Sequence, residues 1–484
     1  MTVSESMAGP PLPKLPLVTM FRLGLFQMGL GIMSLLTLGV LNRVLIDELA
    51  VLPWVAATAI AMYQFVSPFK VWCGQLSDSQ RLWGYHRTGY VWLGALGFTL
   101  LSFIALQVVW QLGLSLQNNG WGALTIFWSI VLGAVFAAYG VTLSLSSTPF
   151  AALLVDVSDE DNRSKLVGIV WSMLMVGIVL GAIVSSRLLN TPEICGPALL
   201  DADALLVKKT VDIAQLQRGI NPVFIIMPAI VVFLAWLATV GVEKKYSRFG
   251  DRSEGREDEI TLGQALKVLT ASRQTAIFFG FLLLLTLSLF MQDAVLEPYG
   301  GEVFNLCISE TTQLNAFFGM GTLLGIGSTG FFVVPRLGKQ RTTSLGCALA
   351  ALCFSLLILA GFQQNVTLLK SGLLFFGLAS GMITAGATSL MLDLTAVETA
   401  GTFIGAWGLA QSISRGLATV AGGTVLNIGK ALFTNAVLAY GLVFALQALG
   451  LILSIFLLNK VNVREFQDNA KTAIATVMAG DLDG

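Results

Sequence analysis

Twelve long apolar runs constrain the fold of this chain more than any other feature of its sequence. Each is long enough to cross the roughly 30 Å hydrocarbon core of a bilayer as a helix. Helices satisfy their own backbone hydrogen bonds in hydrocarbon, so these runs predict an all-α membrane protein. The fourth run is expected to break at Thr148 and Pro149. The predicted spans are 18–40, 53–76, 88–110, 124–154, 166–186, 222–242, 275–296, 311–334, 343–362, 371–392, 402–426 and 436–458.

The composition excludes several classes of function. Hydrophobic residues make up 55% of the chain and charged residues only 12%. Lys and Arg total 28, equal to Asp and Glu, so no basic surface indicates a nucleic-acid partner. His86 is the single histidine, which removes most metal sites and most acid–base catalytic sites. With no nucleophile–base pair and no metal cluster in the sequence, we expect a protein that is not an enzyme.

A charged segment near the midpoint divides the apolar runs into two sets of six. Residues 243–273 contain 13 charged residues out of 31 and cannot enter hydrocarbon. Within them, residues 260–269 have helical apolar spacing, which fits either a helix on the membrane surface or a disordered loop. The predicted domains are an N-terminal arm (1–17), a six-helix half (18–242), a cytoplasmic linker (243–274), a second six-helix half (275–458) and a tail (459–484).

The distribution of basic residues predicts the orientation. If both termini face the cytoplasm, 19 Lys and Arg residues lie on that side and 7 on the other, with Lys70 and Arg415 inside spans. The positive-inside rule favours this arrangement. We therefore expect a multi-pass protein of a prokaryotic plasma membrane or of a thylakoid or intracytoplasmic membrane, in contact with membrane lipid.

A short internal repeat supports two related halves. Asp156 ends the fourth span and Gly168 follows in the fifth, while Asp393 ends the tenth and Gly405 follows in the eleventh. Both residue types recur at an offset of 237 residues. The match is short, and chance similarity between helix ends is the alternative. Asp156 and Asp393 are nevertheless candidates for a conformational role.

The loop after the second span resembles the signature loop of the major facilitator superfamily, Gly-x-Leu-x-Asp followed by basic residues. It contains Gly74, Asp78, Arg81 and Arg87. The resemblance implies two pseudo-symmetric halves that rock against each other. We expect Gly74 to allow close helix packing, and Asp78 to pair with a loop arginine or with the end of the eleventh span. A solvated charged turn is the alternative, and the corresponding loop at 335–339 lacks the acidic residue.

Four further stretches narrow the resemblance. They are residues 21–27, 41–49, 67–70 and 292–304, and the last contains Leu-Glu-Pro-Tyr-Gly. Together they resemble the PucC/LhaA-like, bacteriochlorophyll-delivery branch of the superfamily. The resemblance implies handling of chlorophyll or bacteriochlorophyll, with light-harvesting or photosystem apoproteins and pigment-synthesis enzymes as partners. It covers nearly the whole chain.

Acidic residues at the end of the seventh span are candidate site residues. Asp293 and Glu297 lie four apart, on one helical face. Carboxylates at membrane depth are costly unless they are paired or face a cavity. Asn42 and Arg43 close the first span at the same outer level. The resemblance to the superfamily implies that the first and seventh spans line one central cavity, so we expect Arg43 to pair with Glu297 or Asp293 across the two halves. Glu297 is also a candidate ligand of chlorophyll magnesium; placement of all these groups in the headgroup zone is the alternative.

Pro298 predicts how the seventh span ends. Proline donates no backbone hydrogen bond and disfavours helical geometry at Glu297, so the helix is expected to stop there. Gly300 and Gly301 then allow a tight turn that returns Glu302 to the same rim. Tyr299 offers a flat face to the interface or to a pigment ring. A purely structural helix terminator is the alternative.

Arg415, near the middle of the eleventh span, is the last candidate site residue. An arginine at that depth needs a partner, a cavity or water. We expect the partner to be Asp393, Glu398 or a substrate anion. Lys70 lies close enough to a helix end to reach water with its amine, so it is a weaker candidate.

Five cysteines lack metal-ligand spacing. Cys195 and Cys307 both fall in predicted outer loops, where a disulfide is an open alternative. Two function classes remain. One is a (bacterio)chlorophyll-handling protein that assists assembly of light-harvesting or photosystem complexes. The other is a proton- or cation-coupled transporter of a small solute that uses Asp293, Glu297 and Arg415.

Overall fold

A computed structural model describes residues 15–158, 160–195, 212–247, 273–394 and 400–461. Each of the twelve predicted spans coincides with helix over most of its length. Within the described ranges, nine helices are long and apolar enough to cross a membrane by length and composition. The only pairing of extended residues in the same ranges is the bridge between Leu82 and Tyr85. The predicted surface helix at 260–269 lies outside the described residues.

The first half of the chain contributes eleven helices to the described ranges. They are α1 (Leu17–Ser34), α2 (Leu41–Arg43), α3 (Pro53–Phe65), α4 (Phe69–Ser79), α5 (Thr88–Asn119), α6 (Ala123–Asp156), α7 (Glu160–Leu189), α8 (Pro192–Cys195), α9 (Ile213–Ile220), α10 (Val223–Thr239) and α11 (Val242–Tyr246). We call the face at which the first span ends the outer face, and the face that carries the loop between α4 and α5 the inner face.

The second half contributes eight helices to the described part of the chain. They are α12 (Arg273–Phe290), α13 (Leu296–Phe304), α14 (Ile308–Ser328), α15 (Val334–Leu337), α16 (Lys339–Gln363), α17 (Val366–Leu394), α18 (Ala400–Leu432) and α19 (Ala436–Leu458).

The first span changes its winding near its outer end. After α1 the chain forms a π-helical stretch over Leu35–Val40, the short α2, and a second π-helical stretch over Val44–Glu48. Wide turns of this kind are rare and often occur at functional sites, because each inserts an extra residue and redirects the side chains that follow. Asn42 and Arg43 lie between the two stretches.

The seventh span ends differently from the sequence prediction. α12 stops at Phe290, and a short 3₁₀ turn over Met291–Ala294 follows. Pro298 then lies in the first turn of α13, where its missing N–H costs little. The expected helix stop at Glu297 is therefore wrong: the proline helps to begin a new helix. The expected break at Pro149 is also wrong, because α6 continues through it.

In the described part of the chain the hydrophobic core divides into two large clusters and a small one across the seam, formed by Leu35, Ala182 and Ala316. One large cluster is built almost entirely from residues of the first half, and the other almost entirely from the second half. Each large cluster includes one residue from the opposite half: Ile308 packs into the first and Ala57 into the second. Across the seam between the halves, α7 packs against α14 and α3 against α18. The two cores are consistent with the predicted domain division, which stays a prediction.

Candidate functional site

Glu297 lies at the seam between the halves, in the first turn of α13. Its side chain is only 3% exposed. Asn315 on α14 donates an amide hydrogen bond of 2.6 Å to Oε1, whereas Oε2 has no hydrogen-bond partner among the described residues. A Cβ atom at Gly39 would collide with Oε1, so the glycine lets the first span approach this carboxyl closely. Burying a carboxylate oxygen without a hydrogen-bond donor costs free energy, and binding of a proton or a cation would reduce that cost.

Asn42 connects the first span to the 3₁₀ turn that precedes α13. Its Nδ2 donates a 2.7 Å hydrogen bond to the carbonyl oxygen of Ala294, and the side chain is buried. Its Oδ1 accepts no hydrogen bond from the described residues. The predicted juxtaposition of Asn42 with the end of the seventh span is therefore present, through a backbone carbonyl group.

Arg43 does not form the predicted ion pair across the halves. It pairs with Asp47 and, at 3.4 Å, with Glu48, both of which belong to its own span. Its Nη2 donates a 3.2 Å hydrogen bond across the seam to the carbonyl oxygen of Leu306. The second π-helical stretch places the carboxylates of Asp47 and Glu48 beside the guanidinium, so Arg43 pairs within its own span.

The two glycines that follow Tyr299 lie inside α13 rather than in a tight turn. A Cβ atom at Gly301 would overlap Arg43 and Asp47. Gly301 therefore serves close packing of α13 against the outer end of the first span. The turn comes later, at Asn305, whose positive φ ends α13.

Glu302 reaches the outer rim, as predicted, and pairs there with Lys430 of α18. A cavity of about 490 Å³ opens beside this pair. Its lining includes Asp47 from the first half together with Glu302 and Lys430 from the second. The rim thus joins charged groups from three separate spans.

Tyr299 is a core residue and has no face available to a pigment ring. It is 1% exposed, and its hydroxyl donates a 2.7 Å hydrogen bond to the carbonyl oxygen of Leu357. The ring packs against Phe304, Tyr440 and Phe444, with centroids 5.0–5.3 Å apart. Pro298 is buried as well. Both residues shape α13, and the expectation that Tyr299 offers a flat face to the interface or to a pigment ring is wrong for this conformation.

Arg415 packs over the ring of Phe290, with its guanidinium carbon 4.1 Å from the ring centroid. It lies within Coulombic range of Asp293 and Lys70. The predicted partners Asp393 and Glu398 have side chains outside the described residues. Lys70, the weaker candidate in the sequence, extends across the seam and donates a 3.2 Å hydrogen bond to the Ser412 hydroxyl on α18. Asp293 itself accepts a hydrogen bond from Gln292.

The inner face carries a buried charge network centred on Arg87. The guanidinium is 1% exposed, lies 2.5 Å from Asp78 and 3.0 Å from Asp156, and donates to the Ser77 hydroxyl at 2.6 Å. The pair between Asp78 and Arg87 was one of the predicted alternatives. The sequence did not link Asp156 to this loop, although it singled out the residue through the repeat. A gating role for these residues stays a prediction.

Glu243 completes this network and was missed as a site residue, because in the sequence it belongs to the charged linker. Its carboxylate accepts hydrogen bonds from the backbone N–H groups of His86, Arg87 and Thr88, at 2.6–3.2 Å. It thereby binds the N-terminus of α5, where negative charge is favourable. Arg81 instead donates to His86 at 2.8 Å.

Gly74 was expected to allow close helix packing, and the structure gives it no such role. A Cβ atom there would lie 3.5 Å from the Thr148 methyl carbon, an ordinary contact. Alanine therefore fits at this position, and the glycine is not required for packing in this conformation.

An exposed groove between α5 and α10 was not predicted. It has a volume of about 430 Å³ and opens near the inner face. Its walls include four aromatic side chains: Trp83, Trp92, Phe233 and Trp236. The Trp92 indole donates a 2.9 Å hydrogen bond to the Thr239 hydroxyl, which fixes its ring plane. The sequence feature that could have indicated this groove is the three-residue spacing of Phe233 and Trp236, which places both side chains on one helical face.

Relatives of known name match nearly the whole chain. Protein PucC of Rhodobacter capsulatus is 28% identical over 455 residues, which cover 91% of this chain and 92% of that protein. A Rhodobacter capsulatus protein named bacteriochlorophyll synthase 44.5 kDa chain is 27% identical over 474 residues, or 95% of this chain and 98% of the relative.

Solved structures with a similar fold include transporters. The nucleoside transporter NupG has a TM-score of 0.59 at 15% identity, over 92% of this chain and 98% of that one. A bacterial homologue of the iron transporter ferroportin, in an inward-facing state, also has a TM-score of 0.59, at 13% identity and over 92% and 99% of the two chains. These identities establish the fold alone. The family model described as PUCC protein matches residues 40–466, and the chain therefore belongs to the PucC family of integral membrane proteins.

Proposed function

We propose that this protein handles a chlorophyll-type pigment and assists the assembly of light-harvesting or photosystem complexes. The observation that carries the proposal is the match of the PucC family model over residues 40–466. One relative carries bacteriochlorophyll synthase in its name, which supports a pigment rather than another hydrophobic cargo. In this proposal the pigment is the cargo of the protein and not a resident cofactor. Its apoprotein acceptors and the enzymes of pigment synthesis are the proposed partners.

The aromatic groove between α5 and α10 is the surface that best fits a flat macrocycle. Trp83 and Phe233 are more than half exposed, and their rings are available for stacking. The groove opens to lipid, from which a hydrophobic pigment can enter without crossing water. Lys244 lies near the inner end and packs over the Tyr85 ring at 4.8 Å, so a cation is available to an acidic substituent.

The carboxylate of Glu297 has the chemistry of a magnesium ligand, but its burial prevents access in this conformation. A carboxylate oxygen without a hydrogen-bond partner among the described residues suits a hard cation. In this conformation, however, the side chain is 3% exposed and Gly39 lies against it, so a macrocycle has no path to it. Ligation by Glu297 is therefore a proposal for a state in which the halves have separated on the inner side.

The visible spectrum of the purified protein tests the function. After extraction in mild detergent from a phototrophic host, we expect bound chlorophyll-type pigment and co-eluting antenna or photosystem subunits. Trp83→Leu with Phe233→Leu should lower the pigment content severalfold. Trp171→Leu, which removes an exposed tryptophan from α7, is the matched control and should leave it unchanged. Colourless wild-type protein with no such subunits would contradict the proposal.

The Glu297→Gln variant tests whether the pigment contacts Glu297 in addition to the groove between α5 and α10. This change keeps the shape of the side chain and removes its charge. If the carboxylate participates in pigment handling, pigment retention or complex assembly should fall while the membrane level of the protein holds. Normal pigment content and normal assembly would leave Glu297 as a structural group of α13.

We propose an orientation with the inner face in the cytoplasm. The support is the excess of Lys and Arg on that face in the sequence and the disulfide between Cys195 and Cys307 on the opposite face. The membrane is then a prokaryotic plasma membrane or a thylakoid or intracytoplasmic membrane.

Coupled solute transport is the second candidate. The observation that favours it is the group of Arg415, Lys70 and Asp293 between the halves, because charges at that depth usually serve a substrate or an ion. Uptake by vesicles that contain colourless protein, abolished by Arg415→Gln, would support it. Pigment-loaded protein without uptake would reject it.

A further inference from the structure

The outer ends of the two halves are joined by a covalent bond. Cys195 ends α8 in the first half, and Cys307 is the residue just before α14 in the second. The two form a disulfide across 112 residues of sequence, with their Cα atoms 5.5 Å apart. Among the described cysteines, the other three are free and buried.

Hydrogen bonds close the seam beside the disulfide. The Ser309 hydroxyl of α14 donates to the carbonyl oxygen of Ser186 on α7 at 2.7 Å. Next to it, Ile308 packs into the core of the first half. Asn42 and Arg43 supply the further seam bonds, to Ala294 and Leu306. All of these contacts lie at the outer ends of the spans.

A disulfide restricts how far this seam can open. Its geometry holds the two Cα atoms within about 7 Å of each other. Opening a cleft on the outer face by rocking the halves apart would separate the ends of α7 and α14, which this bond ties together through α8. Hydrogen bonds exchange readily with water, whereas the covalent bond does not break without a reductant. The restriction therefore persists through any thermal motion of the halves.

We propose that the outer face of this protein is closed covalently, and that its ligand enters and leaves only from the inner face or from the bilayer. The protein then uses a transporter fold without alternating access. The inference does not depend on the identity of the ligand, so it can fail while the pigment proposal stands. It predicts delivery to partners on the inner side or within the membrane, and no net movement of a solute across it.

The first measurement establishes the bond. Protein from native membranes is alkylated without reduction, digested, and analysed by mass spectrometry. We expect a linked peptide pair that contains Cys195 and Cys307, and a free Cys73. Alkylation of both Cys195 and Cys307 would overturn the proposal at this step.

The second measurement tests whether the two halves separate at the outer face. Nitroxide labels at Asn118→Cys on α5 and Gln363→Cys on α16, both exposed near the outer face, report the distance between the halves. With the disulfide intact, we expect one distance population under all conditions. Cys195→Ser with Cys307→Ser should add a population at longer distance, whereas the control Cys73→Ser should not.

Two outcomes of the distance measurement would overturn the proposal. One is a longer-distance population in protein whose disulfide is shown by mass spectrometry to be intact, because the halves would then separate despite the bond. The other is a single unchanged population in the double serine variant, because the bond would then not be what holds the seam.

Discussion

The Nε atom of Arg87 lies 3.0 Å from Oδ2 of Asp156, in a buried ion pair between the start of α5 and the end of α6. The pair links the signature loop to the acidic residue of the internal repeat. Asp78 adds a second, more exposed carboxylate at 2.5 Å from the same guanidinium. The inner ends of three helices are thus held by one arginine.

We predict that Asp156→Asn destabilises the protein far more than Asp78→Asn does. Removing the Asp156 carboxylate leaves the buried positive charge of Arg87 without its buried counter-charge, at a cost of about 3–5 kcal/mol. Asp78 is 41% exposed, and an exposed pair contributes roughly 0–1 kcal/mol. Thermal unfolding of the purified variants in detergent measures the difference. Equal losses for the two variants would show that burial does not decide the strength of this network.

Glu243→Gln should loosen the start of α5. The carboxylate accepts three backbone N–H groups, and hydrogen bonds to a charged acceptor contribute about 1.5–3 kcal/mol each at most. Replacing one oxygen by an NH₂ group removes part of this acceptor capacity and its charge. Hydrogen exchange at the amides of residues 86–88 should accelerate. The control is Glu310→Gln, which changes a carboxylate that caps α14, and it should leave these amides protected.

Gly39→Ala should displace the Glu297 carboxyl from Asn315. The added methyl group would overlap Oε1, and such overpacking costs about 1–3 kcal/mol. Shortening the acid in Gly39→Ala with Glu297→Asp should recover part of the loss. A double-mutant cycle on the unfolding free energy should give a coupling of about 0.5–3 kcal/mol. Additive losses would mean that the two positions do not contact each other in the membrane.

The stability of the inner loop should fall on mild acidification because of His86. Partial burial and the Arg81 guanidinium both lower the pKa of His86 below its ordinary value of 6.5. The unfolded chain then binds a proton at His86 more tightly than the folded chain does. Stability that is present above pH 6.5 is therefore lost as the pH falls through the pKa that His86 has in the folded state. The thermal midpoint of wild type should decrease more than that of His86→Gln between about pH 7.5 and pH 5.5. Identical pH profiles would exclude the histidine as the cause.

Much of the fold follows from the sequence because hydrocarbon imposes a simple rule. Runs of apolar residues long enough to span a bilayer become helices, and each predicted span coincides with helix in the structure. The signature loop and the Leu-Glu-Pro-Tyr-Gly stretch were enough to indicate the family. The meeting of the first span with the end of the seventh also followed from the resemblance to the superfamily, and Asn42 makes that contact through Ala294.

The pairing of side chains was not predictable in the same way. Arg43 was expected to reach Glu297, but the π-helical winding of the first span supplies Asp47 and Glu48 instead. Tyr299 was expected to offer its ring to the interface or to a pigment, but α13 turns it into the core, where its hydroxyl donates a hydrogen bond to the carbonyl oxygen of Leu357. Glu243 belonged to a charged segment in the sequence and caps α5 in the fold. Each outcome depends on helix rotation and register, which a pattern of residue types does not specify.

The sequence by itself determined the membrane class, the helical spans, the family and the candidate acidic groups, because these depend on composition and local pattern. The tertiary structure alone decided which groups meet: Arg87 with Asp156, Glu297 with Asn315, and Cys195 with Cys307. The physical reason is distance along the chain. Hydrophobic transfer acts on each segment separately, whereas ion pairs, hydrogen bonds and a disulfide between remote residues form only after the segments have packed.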